Sequence, residues 1–392
     1  MTLAGILPSL GIASRQTLDP RFWPSTARLR DGELTVGGVP LTAAGHVLDE
    51  TCVRASAAGF AAAFGAGGCS YSAKAGLTPD IARWIAGAGL GCYATTGEQL
   101  RIALAAGVAP ERLVLTGPDK TISGYDIAFA CGAAVVIGSP GEAHALIRRA
   151  PAGQRVLVRT IASGQHRPRR YGVRLGSSTA LDTIRLLTGA TGLRFTGLDC
   201  SLGHDLTSFG TFERCLREAI AFTAVLHSRR RPTTARRQAP GIAAGRPADE
   251  AFGGGAGLVI NLGGGQADDL PVAVFAARMR GVARVNAERY RIPDPLVRVS
   301  PGRALTGRAG ITVCRVEHVL RDRRGRLIAG LAGDLPSGNG QTALVGRVSA
   351  AAPEPAMLCG EGTSATAELP GDLKPGDLLA LAGTGVPAGR HH

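Results

Sequence analysis

The chain has 392 residues, of which 45% are hydrophobic, enough for one large domain or two smaller ones, and its 56 glycines and 23 prolines fall short of a low-complexity composition. The net charge of +14 admits anionic partners. However, 4% aromatic residues, no zinc-finger spacing and no RNA-binding aromatic motif argue against nucleic acid, and no apolar run approaches the ~18 residues of a membrane span. Only Lys74, Lys120 and Lys374 of the 44 cationic residues are lysine, so any chemistry that needs a lysine amine rests on three candidates.

In chain order, residues 1–45 read as an irregular arm with one short strand at Glu33–Val39, closed by Gly37 and Gly38. The N-terminus has no basic leader before its apolar residues, and a cytoplasmic setting is expected. From residue 46 the pattern becomes regular. Helical stretches at 50–64, 79–88, 97–106 and 142–150 alternate with apolar runs at 91–94, 113–116, 134–138, 155–160, 193–198 and 257–262. Helices of this length between short strands predict repeated βα units, and a closed (β/α)8 barrel over 46–297, with an open doubly wound sheet as the competing arrangement. Residues 228–256, rich in Arg, Pro and Gly, interrupt the rhythm as a surface loop. After Pro293–Pro295 the texture turns to short strands at 311–319, 326–331, 343–349 and 377–382, predicting a small all-β domain over 298–392 that the N-terminal arm joins.

The eight cysteines form no C-x-x-C pair and the histidines show no ligand spacing, so neither a disulfide framework nor a metal site is expected. Lys74, in Tyr71-Ser72-Ala73-Lys74-Ala75, follows a strand and precedes a helix that starts at Thr78-Pro79. That places it at the carboxyl end of a barrel strand, where parallel barrels carry reactive groups. Val259-Ile260-Asn261-Leu262 runs into Gly263-Gly264-Gly265, and Val299-Ser300 runs into Pro301-Gly302-Arg303. Both turns have the character of an anion cradle.

With Arg112–Lys120, Arg170-Tyr171-Gly172-Val173, Gly197-Leu198-Asp199-Cys200-Ser201-Leu202-Gly203, Leu358-Cys359 and the closing Leu373–Ala380 in the same order, the chain resembles the diaminopimelate decarboxylase family of fold type III pyridoxal-phosphate enzymes along almost its whole length. The resemblance implies pyridoxal 5'-phosphate as cofactor, and decarboxylation of meso-diaminopimelate to L-lysine. It implies that Lys74 holds the cofactor and moves protons, and that Gly263, Gly264, Gly265, Gly302 and Arg303 hold its phosphate. It also implies that Ser201, His204 and Ser300 lie at its ring. Cys359 would enter the neighbouring subunit's site, making the active unit a homodimer that takes a small amino-acid substrate. Against the family pattern, Ser300 replaces a glutamate, Ser201 a histidine and Tyr93 an aspartate. In addition, Gly360 precedes a displaced Glu361, and Val386 or Pro387 stands where a tyrosine is usual. A neutral hydroxyl stabilises a pyridinium less than a carboxylate does, so a catalytically impaired or repurposed homologue, a cofactor binder or a racemase-like enzyme is the alternative.

Overall fold

The computed structural model describes residues 16–163, 171–200, 202, 208–228, 257–264, 270–335 and 340–386. The chain divides into two compact units, one formed by residues 1–56 with 305–392 and the other by 57–304.

The first unit opens with β1 (Arg28–Arg30), β2 (Glu33–Val36) and β3 (Val39–Pro40), an antiparallel meander. The single strand expected at Glu33–Val39 is thus a hairpin, because Gly37 and Gly38 both have positive φ and reverse the chain between β2 and β3. β4 (Gly45–Leu48) follows, then α1 (Glu50–Phe64), whose first turn is capped by Asp49 Oδ1 accepting from Cys52 N at 3.2 Å.

The second unit alternates strand and helix: β5 (Ser70–Ser72), α2 (Pro79–Gly87), β6 (Gly91–Ala94), α3 (Gly97–Ala105), β7 (Leu113–Leu115), α4 (Ile122–Cys131), β8 (Ala134–Ile137), α5 (Pro140–Arg149), β9 (Gln154–Ile161), the two-residue β10 (Val173–Arg174), α6 (Ser178–Gly189), β11 (Leu193–Asp199), α7 (Phe209–Ser228), β12 (Val259–Asn261), α8 (Val272–Tyr290), β13 (Leu296–Arg298) and α9 (Arg303–Thr306). Thr78, Thr96, Thr121, Ser139 and Ser177 each cap the helix they precede, accepting from the third helical N–H, so the helices start where the sequence places small hydroxyl residues. The sheet order β13-β12-β11-β9-β8-β7-β6-β5 is parallel throughout. Cys69 bridges Val299, and Ser70 N donates to Val299 O and Ser72 N to Pro301 O, so the first strand meets the last and the sheet closes. The closed (β/α)8 barrel is the fold, and the open sheet is ruled out. Its interior is packed by Tyr93, Val114, Ala134, Val136 and Leu157.

The rest of the first unit is β14 (Gly310–Arg321), β15 (Leu327–Leu331), β16 (Thr342–Val345), β17 (Pro353–Gly360), β18 (Thr363–Pro370) and β19 (Leu378–Ala382), in the order β16-β19-β14-β15-β17-β18. β4 joins along Gly310–Val313, and Trp23, Leu34 and Val36 of the arm share a core with Ile311, Val313, Ala343 and Ala380. The arm therefore completes the all-β domain. The strand expected at 343–349 stops at Val345, because Gly346 takes a positive φ. The β17–β18 hairpin was not anticipated, since Pro353, Pro355 and Pro370 argue against strand. Pro353 and Pro355 are tolerated because β15 pairs with β17 only from Ala356 onward. Of the Arg-rich segment 228–256, only Ser228 lies among the described residues, at the end of α7.

Candidate active site

Lys74 sits in a 3-10 turn, Ala73–Ala75, directly after β5. Its flanks are pinned: Tyr71 Oη donates to Gly76 O at 2.7 Å and Gln99 Nε2 to Ala73 O at 3.3 Å. Ala73 is buried while Lys74 is exposed, so the turn anchors the main chain and leaves the lysine accessible.

The turns after β12 and β13 pack on each other and on this one. Ser300 N donates to Gly263 O at 2.8 Å, and a Cβ on Gly264 would come within 2.7 Å of Ser300 O. A Cβ on Gly302 would meet Ala75 Cβ at 2.7 Å. Glycine is needed at both positions for the turns to approach, and the result is main chain bare of side chains beside Lys74, with Arg303 next in sequence. Lys74, Gly263, Gly264, Ser300, Gly302 and Arg303 are thus brought to one mouth of the barrel. Ser201, His204 and Gly265 lie outside the described residues.

Below this rim lies a polar layer that the sequence reading missed. Arg159 of β9 meets Asp199 of β11 (Nη1 to Oδ2, 2.9 Å), and Asn261 of β12 donates from Nδ2 to Asp199 Oδ1 at 2.7 Å. The same Nδ2 lies 3.5 Å from Ser300 Oγ, and Asn261 Oδ1 accepts from Gly263 N at 3.3 Å. Asp199 and Asn261 are wholly buried. Tyr93, also buried, has its phenol pushed up by burial first and then by the Asp199 charge, with Arg298 and Arg159 opposing. Tyr93 Oη and Thr116 Oγ1 are buried with no hydrogen-bond partner among the described residues, and they lie at the carboxyl ends of β6 and β7. The available signal was a charged or amide residue ending an apolar strand, as in Val156-Leu157-Val158-Arg159 and Gly197-Leu198-Asp199.

Lys120, given no role from the sequence, forms a second cluster on the same rim. Its Nζ donates to Gly117 O at 2.5 Å, Glu142 Oε1 at 2.7 Å and Tyr171 Oη at 2.8 Å. Glu142 Oε2 accepts from Gly138 N at 2.7 Å, and the Arg159 guanidinium lies over the Tyr171 ring. Burial lowers the Lys120 pKa, with the Glu142 charge opposing.

Cys359 belongs to the other unit, half-buried on β17 opposite Ser364. Gly360 beside it is packed, since a Cβ there would lie 2.6 Å from Gly333 O, so no acidic side chain fits at that position. No cluster suited to a metal ion occurs among the described residues.

Residues 51–230 match the family described as pyridoxal-dependent decarboxylase, pyridoxal binding domain. The diaminopimelate decarboxylase of Actinosynnema pretiosum subsp. auranticum is 30% identical over 417 residues, spanning 98% of this chain and 90% of that one. The chain belongs to the diaminopimelate decarboxylase family. Another family member, from Mycobacterium bovis, is 28% identical over 94% of this chain and 89% of its own. Among solved structures, the diaminopimelate decarboxylase of M. jannaschii superposes with a TM-score of 0.73 at 17% identity, covering 92% of this chain and 88% of that one, a likeness of fold. The family brings pyridoxal phosphate as its cofactor, and the rim fits that group at two places. An exposed lysine stands beside the turns, and the bare main chain with Arg303 suits a phosphate dianion. At position 300 the fit is of a different kind, a buried neutral hydroxyl.

Proposed function

We propose that this chain is a pyridoxal-phosphate-dependent decarboxylase that converts meso-diaminopimelate to L-lysine and carbon dioxide. The observation that supports it most is the meeting of Lys74 with the Gly263-Gly264 and Gly302-Arg303 turns in one barrel mouth, in a chain aligned to its relatives end to end. Bound pyridoxal phosphate supplies the electron sink that loss of an α-carboxylate requires. The chain's own residues do the rest. Lys74 Nζ holds the cofactor covalently and moves protons at the reacting carbon, and its pinned turn limits where that amine can reach. The glycine turns and Arg303 hold the phosphate, and the Lys120–Glu142–Tyr171 cluster keeps Arg159 in place under the rim.

By the family pattern, two copies pair and Cys359 of one serves the site of the other, in the cytoplasm. Among the described residues no helix is long and apolar enough to cross a membrane. A competing reading, a homologue that binds cofactor without efficient turnover, is favoured by Ser300, a neutral group where the family carries a carboxylate. Purified protein with added pyridoxal phosphate should show a visible absorbance band that Lys74→Ala abolishes, and should release carbon dioxide from meso-diaminopimelate. A band without carbon dioxide favours the binder, and no band sinks both. Mixing Lys74→Ala with Cys359→Ala protein should restore part of the activity if the sites are shared, and no restoration counts against the shared dimer.

A further inference from the structure

Asn261 is held in one orientation by its neighbours. Asp199 is a buried carboxylate bonded by Arg159 on one oxygen and Asn261 on the other, and it can only accept. The Asn261 amide must therefore turn Nδ2 toward Asp199, and its Oδ1 then receives Gly263 N. The second Nδ2 proton faces Ser300 Oγ, at 3.5 Å. A hydroxyl that accepts from an amide offers its own proton to a different acceptor. The fixed charge thus sits two residues back from the rim, neutralised by Arg159, and what reaches position 300 is a neutral donor.

We propose that Asp199, Asn261 and Ser300 form a relay that holds the cofactor's pyridine nitrogen unprotonated, with Ser300 as the hydrogen-bond donor and Asp199 and Asn261 as positioning residues. This rests on the reading above that the chain binds pyridoxal phosphate. The physical reason is the match of donor to acceptor: a carboxylate pairs with a pyridinium N–H, whereas a neutral hydroxyl pairs with a pyridine lone pair. The relay also ties the ring to the phosphate, because Asn261 holds Ser300 with one end and the Gly263 turn with the other. The electron sink is milder, and reactions that leave less charge on the ring are favoured accordingly.

The test is the 15N spectrum of protein loaded with pyridoxal phosphate labelled at the ring nitrogen. The native protein should show the resonance of an unprotonated, hydrogen-bonded pyridine, and Ser300→Glu should move it toward the pyridinium position. Ser300→Ala, which removes only the hydroxyl, should move the resonance away from that of a hydrogen-bonded pyridine and weaken cofactor affinity about five- to tenfold, the loss of one hydrogen bond. Asp199→Asn should weaken affinity to a similar degree, and the double variant with Ser300→Ala should show no further loss, because both act through one contact. A merely structural Asp199 would add its own loss. Bound cofactor with a protonated nitrogen in the native protein overturns the relay and leaves the family function standing, whereas absence of any bound band overturns both.

Discussion

A lysine ammonium with 1% of its side chain exposed is costly unless every proton is used, and Lys120 uses three: Gly117 O, Glu142 Oε1 and Tyr171 Oη. Burial still lowers its pKa, so the cluster is satisfied without being comfortable. Removing the amine by Lys120→Met takes the ion pair from Glu142, which keeps the bond from Gly138 N, while the Tyr171 hydroxyl keeps Val136 O as its acceptor. Glu142 is 21% exposed and keeps some water, so the loss should be roughly 2–4 kcal/mol, below the full cost of an orphaned buried charge. Urea unfolding of the two proteins measures it, and a change under ~1 kcal/mol would mean the cluster is not a stabilising unit. Lys120 also shows what sequence alone conveys at this scale. Lys74 was legible because a strand precedes it and a Thr-Pro helix start follows it. Lys120 was not, because its partners lie on two other βα units and become neighbours only when β7, β8 and β9 pair.

At the scale of elements, the site depends on a bulge. The pairing of β11 with β9 shifts between Phe195 and Gly197, and the extra residue, Thr196, changes which side chains beyond it face inward. Asp199 reaches the buried layer through that shift, which is why an alternation count along 193–199 does not find it. Gly197 has φ +152°, and a Cβ there would lie 2.0 Å from Val259 O of the adjacent strand. Gly197→Ala should force β11 from β12, destabilise the barrel by several kcal/mol and abolish cofactor binding together with the Asp199–Asn261 contact. Thermal melting and cofactor titration check this, and a variant that melts and binds like the native chain would show that the bulge does not set the site. The β17–β18 hairpin was illegible for another reason. Its prolines disqualify it by local rules, and only the short overlap with β15 makes them harmless.

For the whole molecule, the all-β unit carries two groups, His46 and Asp377, whose shifted pKa values tie its stability to pH. His46 on β4 faces Thr312 of β14, ring Nδ1 to Oγ1 at 3.0 Å, and burial lowers its pKa with the Gly385 main chain opposing. Asp377 is pushed up by burial, but hydrogen bonds from Arg347 (Nε to Oδ1 2.8 Å, Nη2 to Oδ2 2.7 Å) and from Lys374 N outweigh this and leave its pKa low. The signs follow from proton uptake. Below about 6.5 the unfolded chain protonates His46 while the folded one resists, so stability falls from there until the lowered folded value is passed. Asp377 contributes stability above its unfolded value, near 3.8, that disappears only as pH drops through its depressed folded value. The all-β unit should therefore lose stability in two stages, the first in a range where its carboxylates are still charged. Urea midpoints at pH 7.5 and 5.5 test the first stage. The native protein should unfold at lower urea at pH 5.5, and His46→Asn should flatten that difference. An equal drop in both proteins would place the mild-acid response elsewhere in the molecule.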